Sequence, residues 1–121
     1  MNRQTKNELT LLWGKKVKKD ANYTCEKCGR KLPEQCLDPH HIFKTRKKSV
    51  KWDPDNGSCL CNLAPFWCHR WAEGHPNDAE DFFLEKRGGE WFRSLFQKAR
   101  KTVKFSVDDI QKIRERLNGE H

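Results

Sequence analysis

The sequence predicts a small α+β domain, and three observations carry that prediction. Apolar residues recur at helical spacing near the N-terminus and again in the last third of the chain. Between them, Tyr23 to His69 holds nearly all the cysteines and histidines. That middle zone is broken by Pro33, Pro39, Pro54 and Gly57, so its elements must be short. Two strands are expected there, near Asp38–Ile42 and Ser58–Cys61, joined by a long basic loop.

The N-terminal helix is expected over about residues 4–20, from Gln4 to Asp20. Leu9, Leu12, Trp13 and Val17 form its stripe, and Leu11 broadens it. Lys15, Lys16, Lys18 and Lys19 crowd its end, where cations suit the helix dipole. Gly14 weakens the prediction slightly. After the middle zone, Asn77 or Asp78 is expected to cap a helix running to about Lys86. Gly88-Gly89 breaks it, and a further helix follows over Glu90 to Lys101 with Trp91, Leu95, Phe96 and Ala99 on its buried face. Ser106-Val107-Asp108-Asp109 resembles a capping box with Asp in place of Glu, and Ile110, Ile113 and Leu117 follow at helical spacing. This last helix either packs back on the domain or meets a partner, and Gly119 ends it. The whole chain reads as one domain, with a core over about residues 21–87 and C-terminal helices over about 90–118.

Composition narrows the function. In 121 residues, 35% are hydrophobic and 35% charged, so the core is thin and calls for a staple. The formal charge is +8, which favours an anionic partner such as nucleic acid. No apolar run approaches the roughly 18 residues of a membrane helix. Met1 to Thr10 has no apolar signal core, so a reducing cytoplasm is the expected location. In that compartment six cysteines point to metal rather than disulfides.

Cys25-x2-Cys28-Gly29 is a knuckle whose two thiolates can chelate one Zn²⁺, and the glycine permits the tight turn that follows. Cys61 and Cys68 are the expected second pair, with Cys59 as the competitor for Cys61. Cys36 and Cys59 read as unliganded thiols, although either could substitute. A structural zinc contributes on the order of 10 kcal/mol in small peptides, enough to make up for a thin core.

Within this staple lies Leu37-Asp38-Pro39-His40-His41-Ile42, followed by Asn56 and, directly after Cys68, by His69. Adjacent residues on a strand point to opposite faces, so His40 and His41 can take different tasks. Phosphodiester hydrolysis needs a base to activate water, a cation to stabilise charge on the phosphate and leaving oxygen, and a group that holds the base. A histidine suits the first task. His40 and His69 could supply ligands for the second, and the Asn56 amide could fix the loop and the base by bonding a backbone carbonyl.

Taken together, Cys25-x2-Cys28-Gly29, Leu37 to Ile42, Asp53-Pro54-Asp55-Asn56, Cys61 and Cys68-His69 resemble the HNH endonuclease family over roughly residues 9–76. Leu12-Trp13 and the Asn22-Tyr23-Thr24 lead-in are also similar to the segment before the knuckle in phage and bacterial members. The resemblance implies a ββα-metal core around an active-site cation, with four cysteines on a separate zinc. It implies His41 as general base, His40 and His69 as metal ligands and Asn56 as the middle residue of the motif. It also implies nicking or double-strand cutting of duplex DNA, leaving 5′-phosphate and 3′-hydroxyl ends. A phage or prophage setting, with phage protein partners, belongs to the same expectation. One departure stands out: six residues separate Cys61 from Cys68, an insertion of four relative to the family's Cys-x2-Cys-His, so the loop should bulge.

Some residues keep two readings. His75 is either an extra active-site ligand or a loop residue. His121 is terminal and expected to be inert. Lys44, Arg46, Lys47, Lys48 and Lys51 form either a phosphate-contacting surface beside the cleft or a solvated loop, and Arg70 is placed to reach the same phosphate. Trp52, Trp67 and Trp71 either stack on bases or pack around the zinc. The active-site cation is Mg²⁺, Mn²⁺, Ni²⁺ or Zn²⁺ on these donors. One site per chain implies nicks from a monomer, and a double-strand break would need a weak dimer or two events. The alternatives are a non-catalytic zinc module that binds nucleic acid, or an RNA-directed or toxin nuclease.

Overall fold

The computed structural model describes residues 1–44 and 46–119, so the expectation for His121 lies outside the described residues. Five α-helices and one two-stranded antiparallel sheet make an α+β fold among the described residues. Helix α1 spans Arg3–Asp20. The Asn2 carboxamide oxygen accepts from the Thr5 N–H at 2.8 Å and caps an otherwise unpaired donor. Leu9, Trp13 and Val17 are buried as the periodicity requires. Leu11 instead faces solvent at 62% exposure and does not widen the stripe. Gly14 is explained by close approach: a Cβ there would lie 3.0 Å from Pro39 Cγ.

Strands β1 (Leu37–His41) and β2 (Gly57–Cys61) pair with Leu37 opposite Cys61 and His41 opposite Gly57. A two-stranded ribbon is marginal alone and has to be covered. Helix α1 covers one face, so tightly that any side chain on Gly57 would run into Val17. The short helix α2 (Cys68–Gly74) and helix α3 (Pro76–Arg87) lie on the other side. Alternation along β1 therefore sends His41 onto Trp13 of α1 and His40 towards Phe83 of α3.

Helix α3 does not start on an Asn77 or Asp78 cap. It starts at Pro76, whose missing N–H costs nothing in a first turn, and Asp78 sits where the helix dipole favours an anion. Gly88 at φ +94° breaks the chain before α4 (Gly89–Ala99), which ends two residues short of Lys101. Leu95 and Ala99 bury against Val50 in a small cluster separate from the main core. Phe96 is one residue round the helix from Leu95, and it stays 43% exposed rather than joining the buried face. Helix α5 (Val107–Leu117) carries the full capping box between Ser106 and Asp109. It packs back on the domain, with Leu117 in the main core and Arg114 paired to Glu8 of α1 at 2.7 Å. No helix among the described residues is long and apolar enough to cross a membrane.

Candidate functional site

The cysteine knuckle follows α1 in a turn closed by Gly29 at φ +80°, the left-handed conformation that glycine adopts without penalty. Cys61 ends β2 and Cys68 opens α2, so the insertion between them is looped out while its ends converge. The Sγ atoms of Cys25, Cys28, Cys61 and Cys68 all lie within 4.8 Å of one another. Cys28 Sγ and Cys61 Sγ are 3.9 Å apart. Two sulfurs of a tetrahedral site with zinc–sulfur bonds of about 2.3 Å sit about 3.8 Å apart, so this donor set fits a structural metal such as zinc. Cys59, the alternative to Cys61, is buried outside the cluster, where burial pushes its thiol up to about 12. Cys36 is also outside it, and no disulfide forms among the described residues.

The thiols sit among donors that suit thiolates. The Cys61 and Cys28 amides point at Cys25 Sγ at 3.3 and 3.5 Å, and the Cys68 amide at Cys61 Sγ at 3.4 Å. Arg30 closes the group, with Nη2 at 3.2 Å from Cys61 Sγ and Nε at 3.4 Å from Cys28 Sγ. The same guanidinium donates to the Leu63 and Ala64 carbonyls and so pins the inserted loop. Burial opposes ionisation of Cys61 more than any other single influence. Hydrogen bonds to its sulfur, led by those of the Cys68 amide and Arg30, together outweigh burial and bring the thiol down to about 6. Burial raises Cys25 and Cys68, whereas Cys28 is lowered against its own burial by the Arg30 hydrogen bond, so proton loss from the four-thiol group begins on the Cys28 and Cys61 side.

One residue beyond Cys68, a second group of donors gathers: His40, His69 and Glu73, again within 4.8 Å of one another. His69 and Glu73 are four apart on α2 and share a face. Glu73 Oε1 lies 3.2 Å from both His40 Nδ1 and His69 Nε2. On its far side, His69 Nδ1 is 2.9 Å from Asp38 Oδ2, and Asp38 Oδ1 accepts from Asn62 Nδ2 at 2.9 Å. A carboxylate can only accept, so Nδ1 of His69 carries a proton, and in the neutral ring Nε2 then turns a lone pair on Glu73. Two acceptors 3.2 Å apart repel unless a proton or a cation lies between them. Burial pushes His40 down to about 4, so it is neutral at pH 7, the form that ligates. Burial works against ionised Glu73, but the Lys44 hydrogen bond and charge bring its carboxyl below the usual range. Two imidazoles and one carboxylate, one side of it exposed, can hold a divalent ion with positions left over. Glu73 was not singled out from the sequence, yet His69-x3-Glu73 is a helical spacing that could have flagged it.

His41 occupies the other face of β1. Its ring stacks on Trp13, centroids 3.8 Å apart and planes 6° from parallel. Its Nε2 lies 2.8 Å from the Lys51 carbonyl. A carbonyl only accepts, so Nε2 holds the proton and neutral His41 keeps a lone pair on Nδ1. Burial lowers the pKa of this imidazole and favours that neutral form. Asn56 is fully buried and spends its whole amide on the loop that carries Lys51. Its Oδ1 accepts from the Phe43 N–H at 2.6 Å, and Nδ2 donates to the Phe43 and Val50 carbonyls at 2.9 and 3.1 Å.

The cations divide. Lys44, Arg46 and Lys47 line a cleft of about 210 Å³ over His40, and Lys44 also bonds Glu73 at 3.3 Å. Lys48 lies outside that cleft. Arg70 is exposed and stacks on Trp67 with 4.6 Å between guanidinium and ring. Trp52 is buried, Trp71 packs edge-on against Phe82, and Trp67 is 37% exposed. His75 stands apart from both donor groups at the exposed junction of α2 and α3, with Nδ1 at 3.1 Å from the Trp71 carbonyl. The chain matches no family model, and no curated protein or solved structure matches it.

Proposed function

We propose that the chain is an HNH-type endonuclease that hydrolyses DNA phosphodiester bonds, with a ββα-metal core formed by β1, β2 and α2. One observation carries this reading. His40, His69 and Glu73 converge into an open donor group while the next residue, His41, is held with a free lone pair on Nδ1. Neither arrangement is needed to build a binding module. The motif resemblance, the basic cleft and the net charge of +8 support the same conclusion.

In this mechanism a duplex lies with its scissile phosphate over His40. Lys44, Arg46 and Lys47 contact backbone phosphates, and Arg70 reaches in from α2. Nδ1 of His41 takes a proton from water as the oxygen bonds to phosphorus, and the bond to the 3′-oxygen breaks, the departing oxygen taking a proton from solvent. The products are a 5′-phosphate and a 3′-hydroxyl. Trp13 and the Lys51 carbonyl hold the imidazole plane, and Asn56 holds Lys51, so Asn56 is a positioning residue. A divalent ion on His40, His69 and Glu73 would supply Lewis-acid stabilisation of the phosphate and leaving oxygen. Two imidazole donors suit Mn²⁺, Ni²⁺ or Zn²⁺ better than Mg²⁺, which prefers oxygen. The four thiolates would hold structural zinc, with Arg30 offsetting part of their charge.

The test is plasmid nicking by wild type beside His41→Ala, with each divalent ion and an EDTA control. Metal-dependent nicking that disappears in the variant supports the enzyme and its base together. Folded, zinc-loaded protein that nicks nothing would favour the non-catalytic binding module.

A further inference from the structure

The basic loop has two sides. Lys44, Arg46 and Lys47 line the cleft over His40, but Lys48 and Lys51 line a different hollow of about 380 Å³. Lys6 of α1 and Lys104, just before α5, lie on its rim as well. Its floor is aromatic: Trp52 and Phe105, ring centroids 5.6 Å apart, with Trp52 tied to Thr10 by a 3.1 Å hydrogen bond. Four lysines from three separate stretches of chain thus line one hollow. Among the described residues no carboxylate lines the hollow. No ion pair among the described residues engages any of the four lysines. Like charges gathered over an apolar floor repel, and a bound anion relieves that repulsion.

Lys51 joins this hollow to the base. Its carbonyl receives the His41 Nε2–H, and its ammonium sits 5.1 Å from the Trp52 ring. A polyanion lying along the loop meets the cleft on one side and the hollow on the other. We propose that the hollow is a second phosphate-binding site, which seats duplex backbone flanking the scissile phosphate. The identity of the polyanion rests on the nuclease reading; the site itself rests on the convergence of the lysines.

The experiment is binding of a labelled duplex across a salt series, with His41→Ala protein and no added divalent ion, so that cleavage plays no part. Each phosphate contact adds about 0.9 to the slope of log affinity against log salt, so Lys6→Ala with Lys104→Ala should weaken binding and flatten the slope by about 2. Lys15→Ala with Lys19→Ala removes the same charge from exposed positions of α1 and should leave the slope at its starting value. Equal losses in both double variants, or an unchanged slope in the first, would overturn the site while leaving the DNA reading intact. A duplex that does not bind the starting protein overturns both.

Discussion

The molecule contains two donor groups separated by a single peptide bond, and they are built on opposite plans. The thiol group draws on four cysteines, three of them buried, and wraps them with amides and the Arg30 guanidinium. It offers a metal four ligands and no vacancy. The imidazole–carboxylate group draws on three residues, and Glu73 leaves it open towards the basic cleft. Closed tetrahedral sets hold structures together, whereas sets of three leave room for water or substrate. Cys68 and His69 are consecutive, so one turn of α2 serves both plans. Rigidity on one side of that turn fixes the position of chemistry on the other.

The sharpest way to break the contrast is Cys61→Ser. This thiol is brought down to about 6, and its loss should abolish tight metal binding at the closed site. With a contribution on the order of 10 kcal/mol at stake, the domain should lose its cooperative thermal transition. Calorimetry together with metal analysis checks both. Glu73→Ala should do the reverse: the fold and its zinc stay, while affinity for the second ion falls by more than the roughly 10–100-fold expected from losing an outer partner. Titration calorimetry with Mn²⁺ on zinc-loaded protein reads this directly. Asp38→Asn is milder. It leaves one acceptor oxygen for two donors, His69 Nδ1 and Asn62 Nδ2, so His69 is held less firmly and second-ion affinity or nicking should drop about 10–100-fold with no change in melting.

These variants also show where sequence reasoning reached and where it stopped. Cys25, Cys28, Cys61, Cys68, His40 and His69 carry their chemistry in residue type and spacing, and they do converge. Glu73 and Asp38 act through geometry that spacing hides. Glu73 joins the group only once Cys68–Gly74 is known to be helical, and Asp38 only once β1 lies beside α2. Helix α1 is legible from periodicity and its C-terminal lysines, and α5 from periodicity together with its capping box. The faces of Leu11 and Phe96 were not, because an apolar residue at the edge of a stripe buries only if a neighbour is there to cover it. Pro76 as a helix start was overlooked in favour of the stronger side-chain caps beside it.

A smaller effect sharpens the contrast in pH. Burial lowers the pKa of His41, so the base remains neutral below the pH at which an exposed histidine would be half protonated. Nicking should therefore hold through neutral pH and fall only as pH drops through that lowered pKa, below about 6.5. A rate profile at saturating metal, with zinc content followed in parallel, checks the sign. An acid limb above the ordinary histidine range would remove His41 from the role of base.

Asn56 has a wider consequence. Its amide clamps the backbone at Phe43 and at Val50, the two ends of the basic loop, and touches nothing between them. Arg46, Lys47 and Lys48 therefore lie between two fixed points, flanked by Lys44, which bonds Glu73, and Ser49, which donates to the Lys98 carbonyl. On the nuclease reading, substitutions at those three positions alter the charge offered to a bound backbone while the Lys51 carbonyl keeps its hold on His41.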